Sequence, residues 1–308
     1  MRIAIVGAGG VGGYIGVRMA QAGHDVSYLV RGRTLETMKS QGIRLESPQG
    51  DVILQAPRAS SAASDLGPQD AVIVTVKLYD LEAVAPSLLP LLGPDTLVLP
   101  LQNGVEANDI LAHVLPAANV MKGTVSIKSY LLGPAHILCK SPFCRIKFAH
   151  GDGSSSDRAV ALAAALNQGI GMEVAVSDDM ARDLWLKFIM LVGFSAVCCL
   201  NRANIGQIAG SPEARALVLD AVEEAAAVGR ALGVRLPADI EPIIAQQYID
   251  MPKDGRPSML EDLDAGNRIE LPWLSGAVVR LGQQVGIATP LHLTAYRALA
   301  LHAQGRAA

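Results

Sequence analysis

Within its first twelve residues the chain commits to a strand, a glycine turn and a helix. The apolar run at residues 2–6 breaks into Gly7-Ala8-Gly9-Gly10-Val11-Gly12 and then into a helix-forming stretch over residues 11–22, with Gly23 as its stop. In this G-x-G-x-x-G pattern the first glycine permits a tight turn. The second lets backbone approach a pyrophosphate, and the third lets helix and strand pack closely. The helix N-terminus offers free N–H groups and a positive dipole end to phosphate. All six residues are therefore expected to line a dinucleotide site.

The rest of the first half alternates strand and helix signals. Residues 26–30, 71–76 and 96–101 read as strands, and the run Ala71-Val72-Ile73-Val74-Thr75-Val76 has almost no polar alternation. That texture belongs to parallel strands covered on both faces. It predicts an α/β domain of Rossmann type, doubly wound around a mainly parallel sheet. Residues 43–47 and 52–55 flank Pro48-Gln49-Gly50 and read as a hairpin inserted at an edge of that sheet. From Ser177 onward strand signals nearly vanish, and helices are expected over 179–200, 212–232, 237–249, 258–265, 272–285 and 290–303. Several open on proline, which suits a first helical turn, and Gly233 and Gly286 sit where helices should stop. The division expected is a dinucleotide-binding domain at 1–176 and an all-α substrate domain at 177–308. Their join, near residues 173–178, is the expected hinge.

Composition narrows the class. The 308 residues carry 26 Lys plus Arg against 29 Asp plus Glu, a net charge of −3 that excludes a strongly basic nucleic-acid binder. Hydrophobic residues make up 50% and aromatics only 4%, so the core must be large and aliphatic. The longest apolar run, 188–200, is too short to cross a bilayer; the apolar N-terminus is interrupted by Gly7 to Gly13 with no clear small-residue cleavage site after it, and is not expected to act as a signal peptide. A cytoplasmic protein with no membrane partner is expected. Cys139, Cys144, Cys198 and Cys199 fit no zinc spacing and no disulfide framework, and read as small hydrophobes. The six histidines form no ligand-like cluster, so no metal is expected.

Five residues outside the glycine turn are candidates to carry chemistry. The second strand ends in Val30-Arg31-Gly32-Arg33, with no carboxylate to hold a ribose 2′-hydroxyl. A guanidinium suits a 2′-phosphate, which predicts NADP(H) with Arg31 as main contact and Arg33 as a second. The alternative is a solvated basic turn. Lys77 and Asn103-Gly104 follow strands, at the carboxyl edge where open α/β sheets bind ligands. Asn-Gly also reads as a plain turn. Lys187 lies inside Leu184-Trp185-Leu186-Lys187-Phe188-Ile189-Met190-Leu191. Removing an ammonium from water disfavours its charged form, which suits a proton donor. The alternative is a lysine that snorkels and pairs with Asp183 one turn earlier.

Taken in order, GAGGVG, Lys77 in VTVK, Asn103 in QNG, Lys187 in DLWLKF, Ser258 in SMLEDL and Glu270 in IELPWLSG resemble the ketopantoate reductases, the 2-dehydropantoate 2-reductases of pantothenate and coenzyme A biosynthesis. The resemblance implies a Rossmann domain that binds NADPH, a helical domain that closes over the substrate, and hydride transfer to the ketone of 2-dehydropantoate to give pantoate. It implies Lys187 as general acid and Glu270 as a carboxylate near that lysine and the cofactor ribose. It places Lys77, Asn103 and Ser129 on the cofactor side, and Ser258 and Asn204 against the substrate. Read without it, Glu270 is an acid ahead of a helix starting at Pro272, and Ser258 opens a capping box with Glu261.

The sequence also departs from that family, which carries asparagines four and eight residues after the lysine. Here those positions are Leu191 and Ser195. Ser195 stays a candidate substrate contact, while Leu191 points to an oxo acid less polar near its reacting carbon. Two rivals stand beside ketopantoate reduction: an oxidoreductase for another 2-oxo or 3-hydroxy acid, and a non-catalytic NADP(H) sensor. Arg31 argues against a SAM-dependent transferase. The apolar face of residues 271–285 has two destinations, the domain core or a homodimer interface.

Overall fold

A computed structural model describes residues 1–306. The first half runs β1 (Arg2–Val6), α1 (Gly10–Gln21), β2 (Asp25–Leu29), α2 (Gly32–Gln41), β3 (Ile43–Glu46), β4 (Val52–Leu54), β5 (Arg58–Ser60), β6 (Ala71–Val74), α3 (Leu78–Val84), β7 (Leu97–Pro100) and α4 (Ala107–Ala112). There follow β8 (Met121–Ser126), β9 (Ser129–Gly133), β10 (His136–Cys139), β11 (Cys144–His150), α5 (Asp157–Leu166) and β12 (Met172–Val176). The second half is helical: α6 (Met180–Asn201), α7 (Ile205–Gly210), α8 (Pro212–Ala231), α9 (Ile240–Asp250), α10 (Ser258–Ala265), α11 (Ser275–Val285) and α12 (Pro290–Leu299).

The chain divides into two units. One holds Met1–Gln102 and Glu106–Met180; the other begins at Ala181 and takes in Asn103–Val105. In the first unit, five strands in the order β5-β2-β1-β6-β7 pair in parallel throughout. This is the expected Rossmann arrangement, and the strand order reverses between β1 and β6. β6 is completely buried, as its unbroken apolar run requires.

The hairpin expected at an edge of this sheet lies elsewhere. β3 and β4 do pair antiparallel, but they join β10 and β9 in a separate sheet of order β4-β3-β10-β9. Ile43 and Leu45 are fully buried beneath it, and Arg18 of α1 pins the connecting turn through Ser47 Oγ (2.8 Å) and Gly50 O (3.1 Å). A third sheet, β12-β11-β8, holds most of the segment expected to hinge. Residues 172–176 sit in parallel register with β11, leaving only Ser177–Asp179 between β12 and α6.

In the second unit the core is built on α6. Phe188, Ile189, Val192, Val197 and Cys198 are nearly inaccessible, and Trp185 meets Phe188 edge to face with ring centroids 5.4 Å apart. By length and composition α6 passes as a membrane span, longer than the apolar run suggested, yet 67% of its most apolar window is buried inside the protein. The other expected helices are present, with local corrections, and α7 is an addition that none of the expected segments covers. α9 starts at Ile240 rather than 237 because Arg230 Nη2 holds the carbonyls of Pro237 (3.0 Å) and Ala238 (3.3 Å). The helix expected from 272 is a 3-10 turn, Leu271–Trp273, followed by α11, and the last helix ends at Leu299 in another, Ala300–His302. The apolar face of α11 is buried in the core of its own unit.

Candidate functional site

The glycine turn is built as its sequence requires. Gly7 adopts φ +89°, a conformation that glycine takes without strain, and its N–H donates to Leu29 O at 3.2 Å. α1 follows with Gly9 as N-cap and no side-chain cap. Its first N–H groups therefore have no intrahelical acceptor. A side chain at Gly10 would collide with the Ser129 backbone, and Ser129 Oγ donates to Gly10 O at 2.8 Å. Ser129, expected on the cofactor side, thus ties down the turn. Such a turn can hold a dinucleotide pyrophosphate.

Arg31 follows β2 by two residues and is the N-cap of α2. Its side chain is 79% exposed and makes one long ion pair, 3.8 Å to Asp80 Oδ1, so a competing anion would displace little. Arg33 is exposed in the first turn of α2. Lys77 follows β6 and is the N-cap of α3.

In the helical unit, Lys187 is half-buried on α6 and its Nζ donates to Asn103 Oδ1 at 3.0 Å. These two residues are 84 positions apart, and no spacing signal connects them. Val105, on the same short segment, packs against the helical core. Four residues on, Leu191 packs partly buried against that core. A further turn on, Ser195 is 1% exposed, and its Oγ is buried without a hydrogen-bond partner among the described residues. Lys187, Leu191 and Ser195 share a helix face.

The remaining expected residues have other surroundings. Glu270 is 5% exposed and lies ahead of the 3-10 turn rather than in the first turn of α11; its carbonyl accepts from Trp273 N (3.0 Å) and Leu274 N (3.1 Å). Ser258 forms no capping box. Pro257 is the N-cap of α10, no side chain caps that helix, and Ser258 is exposed. The capping box forms instead at Asn204, whose Oδ1 accepts from Gln207 N (2.9 Å) while Gln207 Oε1 accepts from Asn204 N (3.0 Å). That carboxamide oxygen serves α7. All four cysteines are free and buried. Burial pushes the Cys198 and Cys199 thiols up to about 12, so they are inert hydrophobes. Among the described residues no three His, Cys, Asp or Glu side chains group as a metal site.

A parallel sheet opening on a glycine turn, joined to a helical unit bearing a half-buried lysine, defines a nicotinamide-dinucleotide oxidoreductase architecture. Residues 3–153 match the family described as ketopantoate reductase PanE/ApbA, and residues 179–303 match its C-terminal counterpart. Among curated relatives, a 2-dehydropantoate 2-reductase of Caulobacter vibrioides is 30% identical, covering 94% of each chain. The uncharacterized oxidoreductase YkpB of Bacillus subtilis is 28% identical over 98% of this chain and 99% of its own. The crystal structure of a PanE/ApbA family ketopantoate reductase from Ralstonia eutropha JMP134 matches with TM-score 0.88 at 31% identity over 98% of both chains. That of 2-dehydropantoate 2-reductase from Geobacter metallireducens GS-15 gives 0.91 at 27% identity, over 98% of this chain and 99% of its own. The chain belongs to the ketopantoate reductase family.

Proposed function

We propose that the protein reduces a small 2-oxo acid with NADPH, and that 2-dehydropantoate is the first substrate to test. The observation that carries this reading is the Lys187–Asn103 hydrogen bond: a half-buried amine on an apolar helix, its nitrogen held at 3.0 Å by a neutral carboxamide. NADPH supplies the hydride. The N–H groups of Gly10, Val11 and Gly12 receive the pyrophosphate, Arg31 with Arg33 the 2′-phosphate, and Lys77 a further cofactor phosphate or the substrate carboxylate. Lys187 donates a proton to the carbonyl oxygen as negative charge develops there. Glu270 assists on the ribose side of that lysine, and Ser258, Asn204 and Ser195 hold the substrate. On this reading residues 1–176 form the cofactor domain and residues 177–308 the substrate domain, and the enzyme works in the cytoplasm.

A second substrate is favoured by Leu191. It puts hydrocarbon one turn from Lys187, which suits a 2-oxo acid with an apolar side chain in place of the hydroxylated ketopantoate. The test is a panel of 2-oxo acids, including 2-dehydropantoate, with NADPH or NADH, followed by loss of cofactor absorbance. NADPH is the expected preference, and Lys187→Ala should lower kcat by at least about a hundredfold with NADPH affinity nearly unchanged. Tight NADPH binding with no turnover on any oxo acid would make the protein a sensor; near-normal turnover in Lys187→Ala would remove the general acid.

A further inference from the structure

Side chains outside the glycine motif pack against its turn and hydrogen-bond to it. Thr75 follows β6, and its N–H continues the ladder to Val6 O at 2.9 Å. Its hydroxyl donates to Gly7 O at 2.6 Å, with Val6 O further off at 3.2 Å. A Cβ at Gly12 would run into both Thr75 Oγ1 and Gly7 O, so the threonine hydroxyl occupies the space that the third glycine leaves free. Val76 closes on Gly7 from the same side: a Cβ there would fall 2.8 Å from Val76 Cγ1 and 3.0 Å from Val76 N. Gln102, two residues past β7 and 6% exposed, secures this strand end in turn. Its Nε2 donates to Val74 O (3.0 Å) and Val76 O (3.1 Å). The chain of contacts runs from Gln102 to Val76, and through Thr75 to Gly7 and Gly12. It crosses from β6 to β1, the point where strand order reverses and where open α/β sheets bind their ligands.

We propose that Thr75 and Gln102 are positioning residues for the dinucleotide. A turn made of glycines has many conformations available, and only one aims the first N–H groups of α1 at a pyrophosphate. The Thr75 hydroxyl selects that conformation by holding the Gly7 carbonyl, and Gln102 keeps Thr75 in register. Neither has to touch the cofactor: they lower the cost of ordering the turn when it binds. This inference rests on the reading that the chain binds NADPH.

The test compares Thr75→Val, Thr75→Ser and Gln102→Met in the full chain. NADPH affinity is measured by direct titration, KM and kcat by turnover, and folding by thermal melt. Thr75→Val keeps the shape and removes the donor, and should weaken NADPH about tenfold. Thr75→Ser restores the donor and should bind within about twofold of the wild type. Gln102→Met should weaken binding several-fold. In each folded variant kcat at saturating NADPH should stay within about twofold, so that the loss appears in KM for the cofactor. Wild-type affinity in a folded Thr75→Val or Gln102→Met would overturn the assignment of that residue. Equal loss in Thr75→Ser and Thr75→Val would show that packing, and not the hydrogen bond, is at work, and would overturn it as well. A wild-type chain that binds neither NADPH nor NADH would overturn the functional reading itself, which the wild-type titration reports separately from the variant ratios.

Discussion

Asn103 does the work that a lysine on an apolar helix needs done. A lysine side chain has about 2 kcal/mol of rotamer entropy to lose, and a free ammonium would sweep a wide arc. The acceptor at 3.0 Å confines it. Asn103→Ala should therefore lower kcat by roughly ten- to a hundredfold while NADPH affinity changes little, read from turnover and from direct titration. A large loss of NADPH affinity with kcat intact would instead place Asn103 on the cofactor, as the resemblance implied. At this scale the candidate site was only partly legible. Gly7 to Gly12, Arg31 and Lys187 announce themselves because local pattern and chemistry coincide within a few residues. Asn103, a partner of Lys187, lies 84 positions away from it and is brought there by folding. Capping chemistry was legible in kind but not in place: Ser258-x-x-Glu261 has the right letters, yet Pro257 takes the cap position, while the box closes at Asn204 and Gln207.

Among the helices, α12 is held by groups whose titration can be followed. Both Glu224 carboxylate oxygens, from α8, accept backbone N–H groups at its first turn, Leu291 at 2.7 Å and His292 at 3.0 Å. The His292 ring is completely buried, with Nε2 2.9 Å from Ala221 O and Nδ1 3.3 Å from Ser275 Oγ. Burial pushes its pKa down to about 4. Below pH about 6.5 the unfolded chain takes a proton that the folded chain refuses, so stability falls as pH falls toward 4. Burial also pushes the Glu224 carboxyl up, against its two N–H donors, which acts in the opposite direction. Between pH 7.5 and 5 the His292 share is about 2 kcal/mol. His292→Gln should lose correspondingly less stability than the wild type over that range, read by urea unfolding at both pH values; parallel losses would show that His292 does not titrate this way. Element types were legible wherever the apolar period was long, as in β6, α8 and α10. The partners of short strands were not. β3 and β4 form a hairpin as Pro48-Gln49-Gly50 suggests, but nothing local says that they pair with β10 rather than with the parallel sheet. Of the strands β8 to β12, β11 does alternate, with Cys144, Ile146 and Phe148 buried and Arg145 and Lys147 exposed, but its neighbours are mixed in polarity and nothing local pairs it with β8 and β12.

Over the whole molecule, the two units have separate hydrophobic cores, one gathered around β1, β6 and α1, the other around α6, α8 and α11. The cofactor groups proposed here, Gly10 to Gly12, Arg31, Arg33 and Lys77, lie in the first unit; Lys187 and Asn103 lie in the second. On that proposal, binding energy released at the glycine turn would go to the first core. At a hundredfold excess over Kd, a ligand stabilises the state it binds by about 2.7 kcal/mol. Native-state hydrogen exchange should resolve where that stabilisation goes. With NADPH present, amides of β1, α1, β2 and β6 should exchange up to about a hundredfold more slowly, while those of α8, α9 and α12 should change much less. Equal slowing in both sets would mean that the units open as one cooperative block. Slowing confined to the helical unit would place the dinucleotide away from the glycine turn, and the assignment of Gly7 to Gly12 as its cradle would fall.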